Sequence, residues 1–267
     1  MTTQHSALYT AELPKPPASL GAVIFDLGGT LIDYLGGAPS WPEMEFPGVL
    51  ALHDCLSAAG FPIDAEAFRE SFIAAMDHRW RAATEGISDP PTLGSLILEA
   101  CHAVSFHLEG ELHETAIAAY CAPIADRAVV AGGAEPLLAW LRGHGVRIGL
   151  ISNTIWPAEV HRLDLERYAL LNHIEATIFS SETGLWKPDP RIFGLALDQL
   201  GVPAERAVFV GDRLMEDVQG AQRAGLRAIF VEGTLDYADI DASAFIPDAR
   251  IKQLADLPFA LAQIWDD

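Results

Sequence analysis

The chain has 267 residues, half of them hydrophobic and a fifth charged. That is a globular composition, long enough for a full core plus a second, smaller domain. Seventeen Lys and Arg against 37 Asp and Glu leave a formal charge of −20. A surface of that sign argues against nucleic acid and against anionic membranes as partners, and it obliges any phosphate site to carry its own local cation. Cys55, Cys101 and Cys121 form no Cys-x-x-Cys pair, and their odd number argues against a disulfide framework. No secretory leader and no apolar run of membrane-spanning length is present, which points to a cytoplasmic protein.

In chain order, residues 1–19 carry the proline-rich stretch "ELPKPPASL" and read as a mobile tail. An apolar strand follows at 22–25. It stops at Asp26 in "VIFDLGGTLIDY", where a carboxylate is followed by two glycines and a Thr. From 34 to 127 there is no convincing strand. A Gly- and Pro-rich entry segment leads into "VLALHDCLSAAG", "DAEAFRESFIAAMDHRWRAATEG", "LGSLILEACHAV" and "ELHETAIAAYCAPI", all amphipathic at helical spacing. Strands return at 147–151, 176–179, 207–210 and 227–231, separated by helical patterns. "GAEPLLAWLRGHG" closes on Gly145, "DPRIFGLALDQLG" opens with Asp189 as N-cap and Pro190 at the first helical position, and "MEDVQGAQRAG" closes on Gly225. Strands alternating with helices imply an α/β fold with a Rossmann-like, doubly wound parallel sheet. The expected domains are therefore a core of 20–33 plus 128–267 and an inserted helical block of 34–127.

In such a sheet, ligands bind beyond the carboxyl ends of the strands. Asp26, Ser152 and Asp212 each sit there. Asp217, in "GDRLMED", falls in the first turn of the next helix. Three clustered carboxylates repel one another, and a hard divalent cation relieves that repulsion. Helix-dipole complementation explains Asp217 alone equally well. The Ser152 hydroxyl and the backbone N–H groups after it, beginning with Asn153, are donors for anionic oxygens. Lys187, in "KPDP", is one of three lysines beside Lys15 and Lys252. Placed just before a rigid helix start, it suits a phosphate partner.

The segments "DLGGT", "ISN", "KPDP" and "GDRLMED", in this order and with intervals of 126, 35 and 25 residues between Asp26, Ser152, Lys187 and Asp212, resemble the four motifs of the haloacid dehalogenase-like hydrolase superfamily. The resemblance covers about residues 20–260, and the 34–127 insert resembles that superfamily's helical C1-type cap. It implies that Asp26 is the nucleophile that forms an aspartyl phosphate. It further implies that Mg²⁺ is held by Asp26, the Gly28 carbonyl and Asp212 with Asp217 close behind. Ser152, Asn153 and Lys187 would hold the transferring phosphoryl group of a small phosphorylated molecule. In the first motif the chain departs from the Asp-x-Asp of most phosphatases of this kind, since Gly28 stands where a second Asp would protonate the leaving group. That departure keeps other readings in play: a hydrolase of an acyl phosphate or a phosphonate, or a binding or regulatory protein with little turnover. A 2-haloacid dehalogenase ranks last, because its metal-free chemistry has no use for the acidic pair. His78, Arg79, Trp80 and Arg81 in the helical block are candidates for substrate selection.

Overall fold

The structure, a computed structural model, describes residues 13–232 and 245–265. Residues 1–12 of the expected tail lie outside the described residues. The chain divides into two compact units. One is built from Met1–Asp33, Val130–Asn153 and Leu165–Asp267, the other from Tyr34–Val129 and Thr154–Asp164.

The first unit is a six-stranded, all-parallel sheet. Its strands lie side by side in the order Ala176–Phe179, Arg147–Ser152, Ala22–Phe25, Ala207–Gly211, Arg227–Val231 and Ala249–Ile251. The last strand was not expected from its three residues. The march of the chain across the sheet reverses at Ala22–Phe25, which lies between strands 147–152 and 207–211. All four residues of this central strand are fully buried, as the continuous apolar run "AVIF" requires when both faces are covered.

The Pro190–Leu200 helix shows how local chemistry and packing agree. The Asp189 carboxylate accepts from Arg191 N at 2.9 Å and Pro190 opens the first turn. Gly201 closes the helix in the left-handed conformation at φ 59°. Ile192, Phe193, Ala196 and Leu200 form the buried stripe, packed with Ile24, Ile151 and Phe209 of the sheet. Gly149 makes this approach possible, because a Cβ there would sit 3.0 Å from Leu200 Cδ1. The expected helix after strand 207–211 takes a different form. Leu214–Gln219 is a π-helical turn that passes into an α-helix at Gly220–Arg223. The wide turn starts with Val218 N donating to Arg213 O at 3.2 Å, five residues back.

The second unit contains the helices Trp41–Ala58, Ala65–Thr84, Leu93–Ala103 and Gly110–Ala125. Asp64 caps the second through bonds of 3.1 Å from Glu66 N and Ala67 N, and Thr92 and Ser95 form a reciprocal capping box on the third. Trp41–Ala58 and Gly110–Ala125 meet at Gly48, where a Cβ would lie 2.6 Å from Tyr120 O. Phe61, Phe68 and Phe72 pack ring on ring, with centroids 5.3 and 5.2 Å apart. Residues 154–164 form a polar knot with Tyr34: the Tyr34 hydroxyl is 3.0 Å from His161 Nδ1 and 3.2 Å from Asp164 Oδ2, and Thr154 Oγ1 is 2.7 Å from His161 Nε2. The His161 ring stacks on Trp156, and burial lowers its pKa to about 3, so it is a neutral, structural imidazole. No helix among the described residues is long and apolar enough to cross a membrane.

Candidate active site

Parallel pairing fixes where the chemistry can sit. Phe25 pairs with Leu150 on one side and Val210 on the other, so all three strands end at one edge of the sheet. Asp26 follows Phe25 and is held by its N–H donating to Val210 O at 2.9 Å. Ser152 ends its own strand, and Asp212 follows Gly211. Asp26, Ser152, Asp212, Asp217 and Lys187 are all buried.

Lys187 ties the cluster together. Its Nζ donates to Asp26 Oδ1 at 2.6 Å, to Asp217 Oδ1 at 2.7 Å and to the Ile151 carbonyl at 3.1 Å, and it lies 5.0 Å from the centre of the Phe209 ring. Asn153 fixes the lysine's backbone by a two-way clamp: Lys187 N donates to Asn153 Oδ1 at 2.8 Å and Asn153 Nδ2 donates to Lys187 O at 2.9 Å. Asp217 Oδ2 accepts from Arg213 N at 2.9 Å. One carboxylate oxygen from each of Asp26, Asp212 and Asp217 lies within 4.8 Å of the others. Two glycines make room for these side chains. A Cβ on Gly29, whose φ is +87°, would fall 2.4 Å from Asp212 Oδ2, and one on Gly211 would fall 2.3 Å from Asp217 Oδ2. Any side chain at either position would displace a carboxylate.

The electrostatics follow from burial. Desolvation pushes Asp26 up to about 6, and the Asp217 charge adds to it, while Lys187 and Arg213 pull the other way. Asp212 is pushed up to about 8 by burial and then by the charges of Asp26 and Asp217. Burial works against the Lys187 charge, and the two carboxylates outweigh it, so its pKa is raised and it stays cationic. Asp212 Oδ1 is buried with no hydrogen-bond partner. An orphaned, buried oxygen beside two further carboxylates is a donor set that suits a hard divalent cation.

Of the residues singled out in the sequence, the structure brings Asp26, Asp212, Asp217 and Lys187 into direct proximity and sets Ser152 at the neighbouring strand end. Gly28 forms an isolated bridge with Ile32 in the turn after Asp26. The Asn153 side chain serves Lys187, leaving its backbone N–H as the group available for an anion. Arg79 pairs with Glu99 at 3.3 Å, Arg81 pairs with Asp77 at 3.1 Å and Trp80 packs against Trp41 with centroids 6.2 Å apart, all within the helical unit. Three features escaped sequence reading: the Asn153 clamp, the roles of Gly29 and Gly211, and Arg213, whose charge acts on both Asp26 and Asp212. The glycines were visible as neighbours of the two key carboxylates, but the clamp joins positions 34 residues apart and left no local signal.

Residues 20–225 match the family described as "Hydrolase: haloacid dehalogenase-like hydrolase". Among curated proteins, the chain is 38% identical over 129 residues to a phosphoserine phosphatase of Thermus thermophilus, a match covering 48% of this chain and 50% of that protein. It is 27% identical over 214 residues to a ribulose-1,5-bisphosphate 5-phosphatase of Halopiger xanaduensis, covering 79% and 84% of the two. The fold matches a crystal structure of a HAD phosphatase from Thermococcus onnurineus with a TM-score of 0.63 at 26% identity, covering 91% of this chain and 99% of the other. The chain spans about half the length of the phosphoserine phosphatase it matches. With a family match that runs through all four motifs, and a sheet edge that gathers Asp26, Lys187, Asp212 and Asp217, the chain belongs to the haloacid dehalogenase-like hydrolases.

Proposed function

We propose that the chain is a Mg²⁺-dependent phosphatase of small phosphorylated metabolites that works through a phosphoryl group carried on Asp26. The observation that carries this reading is the gathering of Asp26, Asp212 and Asp217 within 4.8 Å around the Lys187 ammonium. In the first step an oxygen of the Asp26 carboxylate attacks phosphorus, and the bond from phosphorus to the ester oxygen breaks with its electron pair leaving on that oxygen. In the second step water attacks the aspartyl phosphate, which releases phosphate and restores the carboxylate. Lys187 keeps Asp26 ionised against burial and contributes positive charge beside the transferring group. Ser152 and the Asn153 N–H donate to its oxygens. Asp26, the Gly28 carbonyl, Asp212 and Asp217 would hold Mg²⁺, and the ion when bound would neutralise charge on the phosphoryl oxygens. The helical unit acts as the cap that selects the substrate, from a soluble, cytoplasmic pool.

The activities of the related proteins, on phosphoserine and on ribulose-1,5-bisphosphate, support a small phosphorylated substrate. One observation favours a second reading. Gly28 has no side chain to protonate a departing alkoxide, and an acyl phosphate, whose leaving group is already a stable carboxylate, needs no such proton. Phosphate release from a panel of phosphorylated metabolites and one acyl phosphate, with Mg²⁺ and with a chelator, tests both. Metal-dependent release from at least one phosphate ester is the expected result. Release from the acyl phosphate alone selects the second reading, and release undiminished by chelator contradicts the metal site.

A further inference from the structure

The same strands that carry the carboxylates at one edge open a second site at the other. Gly21 precedes strand 22–25, Arg147 begins strand 147–152, and 201–206 lead into strand 207–211. These starts (21, 147, 201–203 and 206), together with residues 15–18, 20 and 144–146, line a cleft of about 520 Å³. Its charge is opposite to that of the chain. Lys15, Arg147 and Arg206 line it, joined by His144, and none of its 14 lining residues is Asp or Glu. A lining of that size would carry about two acidic residues at this composition.

Structural duties account for only part of this basic cluster. Arg147 donates one N–H to the Leu200 carbonyl at the end of the Pro190–Leu200 helix, and Arg206 Nε donates to Ser19 O at 2.8 Å. Each guanidinium has five donors, so one backbone bond leaves most of the fork uncommitted. Among the described residues, Arg147, Arg206 and Lys15 take part in no ion pair within 4.0 Å. Prolines, valines, a leucine, an alanine and glycines supply the rest of the wall, which suits a compact body as well as charged groups. From Arg147 to Ser152 the strand spans ~17 Å, so a ligand held here could not touch Asp26.

We propose that this cleft binds a small, multiply charged anion, phosphate- or carboxylate-bearing, at a site separate from the carboxylate cluster. The test is NMR titration of the full chain in metal-free buffer with pyrophosphate in one arm and citrate in the other. The expected result is saturable shifts of the Gly21, Gly145 and Gly201 amides by at least one anion, with Gly28 and Gly29 unmoved. Arg147→Gln is expected to weaken that binding about tenfold, the typical effect of losing a charged hydrogen bond. Lys15→Gln, at an exposed position, is expected to weaken it in the same direction without disturbing the fold. Shifts confined to Gly28 and Gly29 would overturn the proposal. So would the absence of saturation below about 10 mM, a limit that corresponds to negligible affinity, or binding indifferent to both substitutions.

Discussion

Asp26 in the α/β unit and Glu45 in the helical unit are buried to similar depth, at 6% and 3% exposed, and their partners differ in kind. Desolvation dominates at both, raising Asp26 to about 6 and Glu45 to about 7. Asp26 faces the Lys187 ammonium at 2.6 Å, whereas Glu45 faces the Tyr120 hydroxyl, which donates to its Oε2 and lies 3.5 Å from Met76 Sδ. A cation holds a buried carboxylate ready to ionise and to react. A hydroxyl satisfies the same group as a neutral acid and builds it into the packing. The difference in partner separates a group positioned for chemistry from one positioned for structure.

Removing the reactive member should have the largest effect. Asp26→Asn keeps the shape and lacks the nucleophile, so turnover should fall at least ~10³-fold with the fold unchanged. Steady-state phosphate release with circular dichroism checks this, and Glu45→Gln should leave turnover near wild type. Removing the cation should be the largest structural change. Lys187→Met leaves two buried carboxylates without their counter-ion, an expected loss of about 3–5 kcal/mol in denaturant unfolding as well as a loss of orthovanadate affinity.

The third prediction concerns pH. The Glu45 pKa is raised from 4.5 to about 7 on folding, so the folded state binds the proton more tightly than the unfolded chain. The stability from this group is complete below pH 4.5 and is lost as pH rises through 7, by an expected total of about 3 kcal/mol. Glu45→Gln should therefore flatten the pH dependence of unfolding relative to wild type between those limits, and a parallel pair of curves would contradict it. The Asp212 side chain should show the opposite use of a raised pKa. Metal must displace its proton, so Mg²⁺ affinity measured calorimetrically should climb between pH 6 and 8 by up to ~10-fold per unit, with Glu45→Gln making no difference. Gly28→Asp should have the smallest effect. It adds a negative charge beside the phosphate, so kcat/KM should fall modestly for an alkyl and an aryl phosphate alike. A gain for the alkyl ester alone would identify a lost proton donor instead.

The sheet and the reactive carboxylates were legible because their signals are local. Each of the four strands 22–25, 147–152, 207–211 and 227–231 contains a continuous apolar run, and Asp26 and Asp212 stand directly at the end of theirs. The π-turn at Leu214–Gln219 was read as an ordinary helix, since Val218 N reaching back five residues to Arg213 O leaves no mark in the apolar periodicity. Glu45 was hidden for a similar reason. A Glu in the first turns of a helix reads as a solvated, dipole-complementing residue, and the partner it meets in the fold, Tyr120, lies 75 residues away in the chain. The strand Ala249–Ile251 is too short to carry a pattern and exists because it pairs with Arg227–Val231.

Transfer of the phosphoryl group to Asp26 is the central step, and rapid acid quench during turnover, followed by peptide mass spectrometry, reads that event directly. The predicted result is a phosphoryl adduct on the peptide bearing Asp26, formed with Mg²⁺ and absent both in chelator and in Asp26→Asn. Sustained phosphate release by Asp26→Asn, or an adduct on any other residue, would contradict it.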